Sequence, residues 1–144
     1  MTIRTSGLFG PGGNQTKGGS FVQRILARAR DGEALRVVDD QVFSPTYAPD
    51  LAVALVGLIG VGARGLVHVT NSGECSWHAL ACAALSAAGV ERRVERIRTS
   101  ELDLPARRPR YSVLSNQRYM SFGLPPLRPW SEALMELLRH DPAA

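Results

Sequence analysis

Lysine is almost missing: Lys17 is the only one among seventeen basic residues, and the rest are arginine. Positive charge is therefore carried by guanidinium, which forks onto planar oxyanions and keeps its proton at physiological pH. Aromatic residues are also scarce, at 6%. That leaves few stacking platforms for a nucleic-acid binder, although a pI of about 9.7 would suit one. The two cysteines, Cys75 and Cys82, lie seven residues apart in one helical pattern, a poor basis for a disulfide framework. A reducing cytoplasm is the expected compartment. The longest apolar run, Leu51 to Val61, is shorter than the roughly 20 residues of a bilayer span, so no membrane partner is expected. The opening Met-Thr-Ile-Arg-Thr-Ser has no basic stretch followed by an apolar core, and no export leader is expected. No serine sits in a G-x-S-x-G elbow.

What is present fits one domain over residues 1–144, with 44% hydrophobic and 21% charged residues and a formal net charge of +4. Thr2 to Ser6 reads as a short strand entering a glycine-rich loop, Gly7 to Gly19. Ser20-Phe21-Val22-Gln23 is a capping box opening a helix that Asp31-Gly32 stops. Leu35 to Val38 reads as a buried strand. Ser44 to Asp50 is turn chemistry, and Pro49 and Asp50 start a helix through Ile59. A strand from Leu66 to Thr70, a turn at Asn71-Ser72-Gly73, and a helix capped by Ser76 and running to Gly89 follow. Val94 to Arg98 is a further strand, and a last helix opens at Pro129 with an apolar stripe of Trp130, Leu134, Leu137 and Leu138. Strands alternating with helices predict an α/β fold.

Several patterns carry candidate chemistry. Gly7, Gly10 and Gly13 are spaced GxxGxxG, and Gly60, Gly62 and Gly65 are spaced GxGxxG. Neither lies between a strand and a helix, so neither presents a helix N-terminus to a pyrophosphate. Arg107, Arg108 and Arg110 surround Pro109, which favours extended backbone before it and displays neighbouring guanidinium groups on opposite sides. This cluster reads either as a diphosphate fork or as a solvated basic loop. The mixed charges of Glu91 to Arg98 read as a solvated face, and His68 as structural. Cys75, His78 and Cys82 share one helix face without a fourth ligand, which favours a buried thiol beside an imidazole over a metal site.

Taken together, Arg4-Thr5-Ser6-Gly7-Leu8-Phe9-Gly10, Leu35-Arg36-Val37-Val38-Asp39-Asp40-Gln41, Ser44-Pro45-Thr46-Tyr47-Ala48-Pro49-Asp50-Leu51, Leu66-Val67-His68-Val69-Thr70-Asn71-Ser72-Gly73 and Pro105-Ala106-Arg107-Arg108-Pro109 strongly resemble the dTDP-4-dehydrorhamnose reductase family. These are extended short-chain dehydrogenase/reductases, and the resemblance is to their C-terminal, substrate-binding half. The implied fold is the C-terminal part of an NAD(P)-binding Rossmann-like enzyme, without its dinucleotide-binding half. In the family, that other half holds NADPH and a Tyr-x-x-x-Lys pair. Here Gly13 stands four residues before Lys17, so the pair is excluded by counting.

The resemblance places Arg36, Val37, Val38 and Gln41 beside thymine and deoxyribose, with backbone groups contributing much of the recognition. It makes Arg108 the diphosphate ligand, and Ser20, where the family usually has asparagine, a donor of one hydrogen bond to phosphate. Tryptophan is common in the family at the position of Gly7, where it lines the sugar pocket. Some members use magnesium, but no ligand set for it stands out. The expected partner is a dTDP-sugar, together with a separate Rossmann half or another copy of the chain. Alone, the chain is expected to be catalytically inactive, and the strand at Thr2 to Thr5 to leave an exposed edge. A non-catalytic interaction role is the alternative, since the regulatory subunit of methionine adenosyltransferase is similar to the same family.

Overall fold

A computed structural model describes residues 1–12, 19–102 and 105–140. Gly13 and Lys17 lie outside the described residues. The chain folds as α/β around parallel strand pairs. β1 (Thr2–Arg4) pairs with β6 (Leu66–His68), Thr2 opposite Leu66. β3 (Leu35–Val38) pairs with β8 (Val94–Ile97), Leu35 opposite Val94. β2 (Leu8–Phe9) pairs with β5 (Thr46–Tyr47). β4 (Val42–Phe43) sits between antiparallel β7 (Cys75–Ser76) and parallel β9 (Tyr111–Ser112).

Helix α1 (Phe21–Arg30) begins where the capping box places it. Ser20 Oγ accepts from the Gln23 amide at 3.3 Å, and Gln23 Oε1 accepts from the Ser20 amide at 2.7 Å. Val22, Ile25, Leu26 and Ala29 form its buried face, and Gly32 at φ +79° lets the chain leave. α3 (Trp77–Ala87) is capped by Ser76, whose hydroxyl accepts from the Ala79 amide at 3.1 Å and donates to Asp39 Oδ1 at 2.6 Å. This bond fixes the start of α3 against the end of β3. α2 (Ala48–Gly60) follows β5 directly, with Pro49 in its first turn. α4 (Gln117–Met120) and α5 (Trp130–His140) complete the chain.

Two apolar cores result. The larger joins α1, α3, α5 and β3 through Leu26, Leu35, Leu80, Leu134 and Leu137; the smaller joins α2, β6 and α4 through Leu58, Val67, Val69 and Tyr119.

The long elements match the sequence pattern, and the departures are local. The strand expected over Thr2 to Ser6 ends at Arg4, the one over Leu66 to Thr70 ends at His68, and α3 stops at Ala87 rather than Gly89. β2 lies within the presumed glycine loop, and β5 within the presumed turn from Ser44 to Asp50. Strands of two residues have no measurable period, so only the fold brings their partners into register. Arg107 to Arg110 is irregular backbone that leads into β9, not a strand.

Candidate functional site

Three cavities open side by side. The largest, about 740 Å³, is lined by Phe21, Arg24, Ile25, Arg28, Arg36, Val37, Val38, Gln41, Trp77, Leu102 and Arg108. A second, about 540 Å³, lies beside the end of β2 and includes Phe9, Gly10, Ser20, Phe21, Arg24 and Trp77. A third, about 170 Å³, is bounded by Ser6, Gly7, Gln41, Phe43, Trp77, Arg108, Pro109 and Ser112. They lie where β3 ends and α1 and α3 begin, the region in which parallel α/β folds place ligands.

Of the six residues expected to bind ligand, Arg36, Val37, Val38, Gln41 and Arg108 line the largest cavity. Ser20 lines the neighbouring one. Its oxygen is occupied as the cap of α1, but its hydroxyl proton can still be donated. Gln41 is buried, and its amide donates to Thr99 Oγ1 at 2.9 Å, fixing the side chain across the end of β8. Thr99 in turn donates its amide and hydroxyl to Asp40 Oδ1 at 2.9 and 2.7 Å; these bonds hold the Asp40 carboxyl below its ordinary range.

The four arginines of the large cavity are not equivalent. Arg28 is paired with Glu33 at 2.6 Å, and Arg36 with Glu95 and Glu101 at 3.5 and 3.4 Å. Arg24 donates to the Gly19 carbonyl at 2.8 Å and has no acidic partner among the described residues. Arg108 has no hydrogen-bond or ion-pair partner among the described residues. Among the described residues, positive charge without an acidic partner in the trough therefore comes from Arg108 and Arg24, at the boundaries between the large cavity and its two neighbours. Arg107 and Arg110 line none of the three.

Sequence reasoning missed Arg24 and Trp77. Arg24 sits one turn after the cap of α1, and Trp77 is the first residue of α3. The Trp77 ring stacks on Phe43 at 4.0 Å between centroids and meets Phe21 edge-on at 4.8 Å. Its position immediately after a serine cap was the available signal. Gly7, at φ +51°, is backed by the same group, since a Cβ there would lie 2.2 Å from Phe43 Cε2.

The remaining candidates do not assemble into a site. Gly60 is the last residue of α2, and Gly62 and Gly65 lead from its carbonyl end into β6, so the helix dipole there opposes a phosphate. That glycine set therefore presents no helix N-terminus to a dinucleotide. No group of three or more His, Cys, Asp or Glu side chains that could hold a metal is present among the described residues. His78 is buried, with Nε2 3.1 Å from the Val94 carbonyl, and burial pushes the Cys75 thiol up to about 12. Among the described residues no helix is long and apolar enough to cross a membrane.

Comparison with known proteins places these features. The chain is 41% identical over 142 residues to the spore coat polysaccharide biosynthesis protein SpsK of Bacillus subtilis, covering 99% of this chain and 48% of that protein. It is 39% identical over 140 residues to a dTDP-4-dehydrorhamnose reductase of Streptomyces griseus, covering 93% and 44%. The crystal structure of dTDP-4-dehydrorhamnose reductase from Bacillus anthracis in complex with NADP superposes with a TM-score of 0.89 at 33% identity, over 96% of this chain and 47% of that one. UDP-glucose 4-epimerase of Thermotoga maritima, at 15% identity and a TM-score of 0.72, shares the fold alone. The chain spans about half the length of the curated relatives it matches, and its architecture is the C-terminal part of a Rossmann-like extended short-chain dehydrogenase/reductase. Residues 1–142 match the family described as RmlD substrate binding domain, and on that match this chain, with its arginine-edged trough, belongs to that family.

Proposed function

We propose that this chain is the dTDP-sugar-binding half of a dTDP-4-dehydrorhamnose reductase, which holds dTDP-4-dehydro-L-rhamnose for NADPH-dependent reduction to dTDP-L-rhamnose on the way to cell-surface polysaccharide. The observation that carries this reading is the Arg108 guanidinium, without a partner among the described residues, at the boundary between a large, partly apolar cavity and a small one. A nucleotide-sugar has the matching order: base and deoxyribose, then diphosphate, then hexose. Ile25, Val37, Val38 and Leu102 offer apolar contact to the base, Arg108 and Arg24 meet the diphosphate, and the Ser20 hydroxyl adds one donor.

In this reading the chain binds and orients but does not turn over alone. Its three tyrosines are poor proton donors at neutral pH: burial raises Tyr47 and Tyr119, and the 2.8 Å hydrogen bond to Glu74 raises Tyr111. The hydride donor would be held by a separate Rossmann half, in a cytoplasmic setting. Separate calorimetric titrations with dTDP and NADPH test the reading. Binding of dTDP without NADPH is expected; tight NADPH binding, or NADPH oxidation by the purified chain, would overturn it.

A further inference from the structure

Among the described residues, Trp77 is the one common to the linings of all three cavities. Its ring is fixed from several sides. Phe43 covers one face, Phe21 meets its edge, and the backbone beneath is pinned by the Ser76–Asp39 hydrogen bond of 2.6 Å. The half-buried remainder of the indole borders the trough. A rigid aromatic surface already desolvated on one side loses little conformational entropy when a ligand covers the other.

We infer that Trp77 is the platform for the hexose and a determinant of which sugar is accepted; the inference rests on the nucleotide-sugar reading above. Arg108 borders both the 740 Å³ and the 170 Å³ cavities, so a diphosphate held there directs base and sugar to opposite sides. The smaller cavity offers the space of a single ring, not of a nucleoside. Its lining combines the Phe43–Trp77 stack with the Ser6 and Ser112 hydroxyls. A pyranose presents the complementary surface, with C–H groups on one face and hydroxyls around its rim. Gly7 keeps the back wall open for Phe43, because any side chain there would occupy the place of its ring. The sugar wall is thus built by Trp77 and Phe43 through packing, without a contribution from the side chain at position 7.

The test compares dTDP with dTDP-L-rhamnose on the full chain and on Trp77→Leu. The hexose should strengthen binding to the native chain, and Trp77→Leu should weaken dTDP-L-rhamnose by about tenfold while leaving dTDP within about twofold. Trp77→Phe, which keeps an aromatic face, should recover most of the difference. Equal losses for both ligands would overturn the platform role, as would dTDP binding to which the hexose adds nothing. If Trp77→Leu does not fold, a Trp130→Phe chain isolates Trp77 emission. Quenching by dTDP-L-rhamnose well beyond that by dTDP supports the platform, and equal quenching overturns it. If the native chain binds neither compound, the nucleotide-sugar reading itself fails and takes the platform with it.

Discussion

Arg128 closes on Asp50 with both branches of its guanidinium, Nε to Oδ2 and Nη2 to Oδ1, each at 2.8 Å. The pair joins the start of α2 to the segment before α5. Asn71 extends it, donating to Asp50 Oδ2 at 2.7 Å while its carbonyl oxygen accepts from the Tyr47 amide at 2.8 Å. Arg128 also bonds Glu136 and lies 5.6 Å from the Tyr47 ring centroid. This network links the two apolar cores through charge and not through packing. Replacing Asp50 with Asn keeps the shape but removes the bidentate ion pair. The expected loss is about 1.5–3 kcal/mol of unfolding free energy, read from urea denaturation, and a change within about 0.5 kcal/mol would show that the pair is only a surface contact.

The same network gives stability a pH dependence of definite sign. Its hydrogen bond to Arg128 holds the Glu136 carboxyl below its ordinary value of 4.5, and Thr99 does the same for Asp40 relative to 3.8. A carboxyl whose folded pKa is depressed contributes stability that is present above the unfolded pKa and is lost as pH falls through the folded one. These two carboxyls should therefore contribute fully to the melting temperature above pH 4.5 and progressively less below it. Arg128→Met should flatten part of that drop, and an unchanged profile would remove Glu136 from the account.

Arg108 and Arg107 are adjacent, yet only Arg108 borders the cavities. Arg108→Ala should weaken dTDP binding by about 1.5–3 kcal/mol, the range for a hydrogen bond to a charged group. Arg107→Ala should change it by less than about 0.5 kcal/mol. Calorimetry on both variants tells a diphosphate ligand from general electrostatic attraction, which would make the two losses similar and both strongly dependent on salt.

What the sequence reveals of this fold follows the range of each interaction. α1 is legible to the residue, because Ser20 and Gln23 cap each other across three positions. α5 is legible from Leu134 and Leu137, which recur on one face. β4 is not, since Val42 and Phe43 acquire their strand character from Cys75–Ser76 and Tyr111–Ser112, far away in the chain. The site divides in the same way. The motif around Pro109 marks the cluster of Arg107, Arg108 and Arg110, from which the family resemblance picks Arg108, whereas Trp77 looks like any apolar residue opening a helix. Only the folded chain brings Phe43, Phe21 and three cavities to it.

Gly7 supplies a sharper check on that convergence. At φ +51°, a side chain at position 7 is strained by the backbone alone, and its Cβ would lie 2.2 and 2.4 Å from two atoms of the Phe43 ring. Gly7→Ala should cost about 2 kcal/mol and move Phe43 off Trp77, seen as a change in near-ultraviolet circular dichroism. Combining it with Phe43→Ala should relieve the steric part, so the double variant should lose less than the sum of the single losses. Strict additivity would show that the ring does not constrain position 7.

Two unpartnered surfaces predict how the isolated chain behaves in solution. Among the described residues β1 hydrogen-bonds to β6 alone, leaving one edge of a parallel strand open. On α2, Val53, Val56 and Ile59 are 74%, 71% and 69% exposed, although the helix is apolar nearly all round, a composition typical of buried helices. The matching relatives are about twice as long and so carry further chain from which a cover can come. Without one, these surfaces should associate with one another. Sedimentation velocity should show a mass that rises with concentration, and the paired change Val53→Glu and Ile59→Lys should suppress the rise while altering the melting temperature little. A strictly monomeric chain with a high melting temperature would contradict the prediction, because it would show both surfaces to be stable in water as they stand.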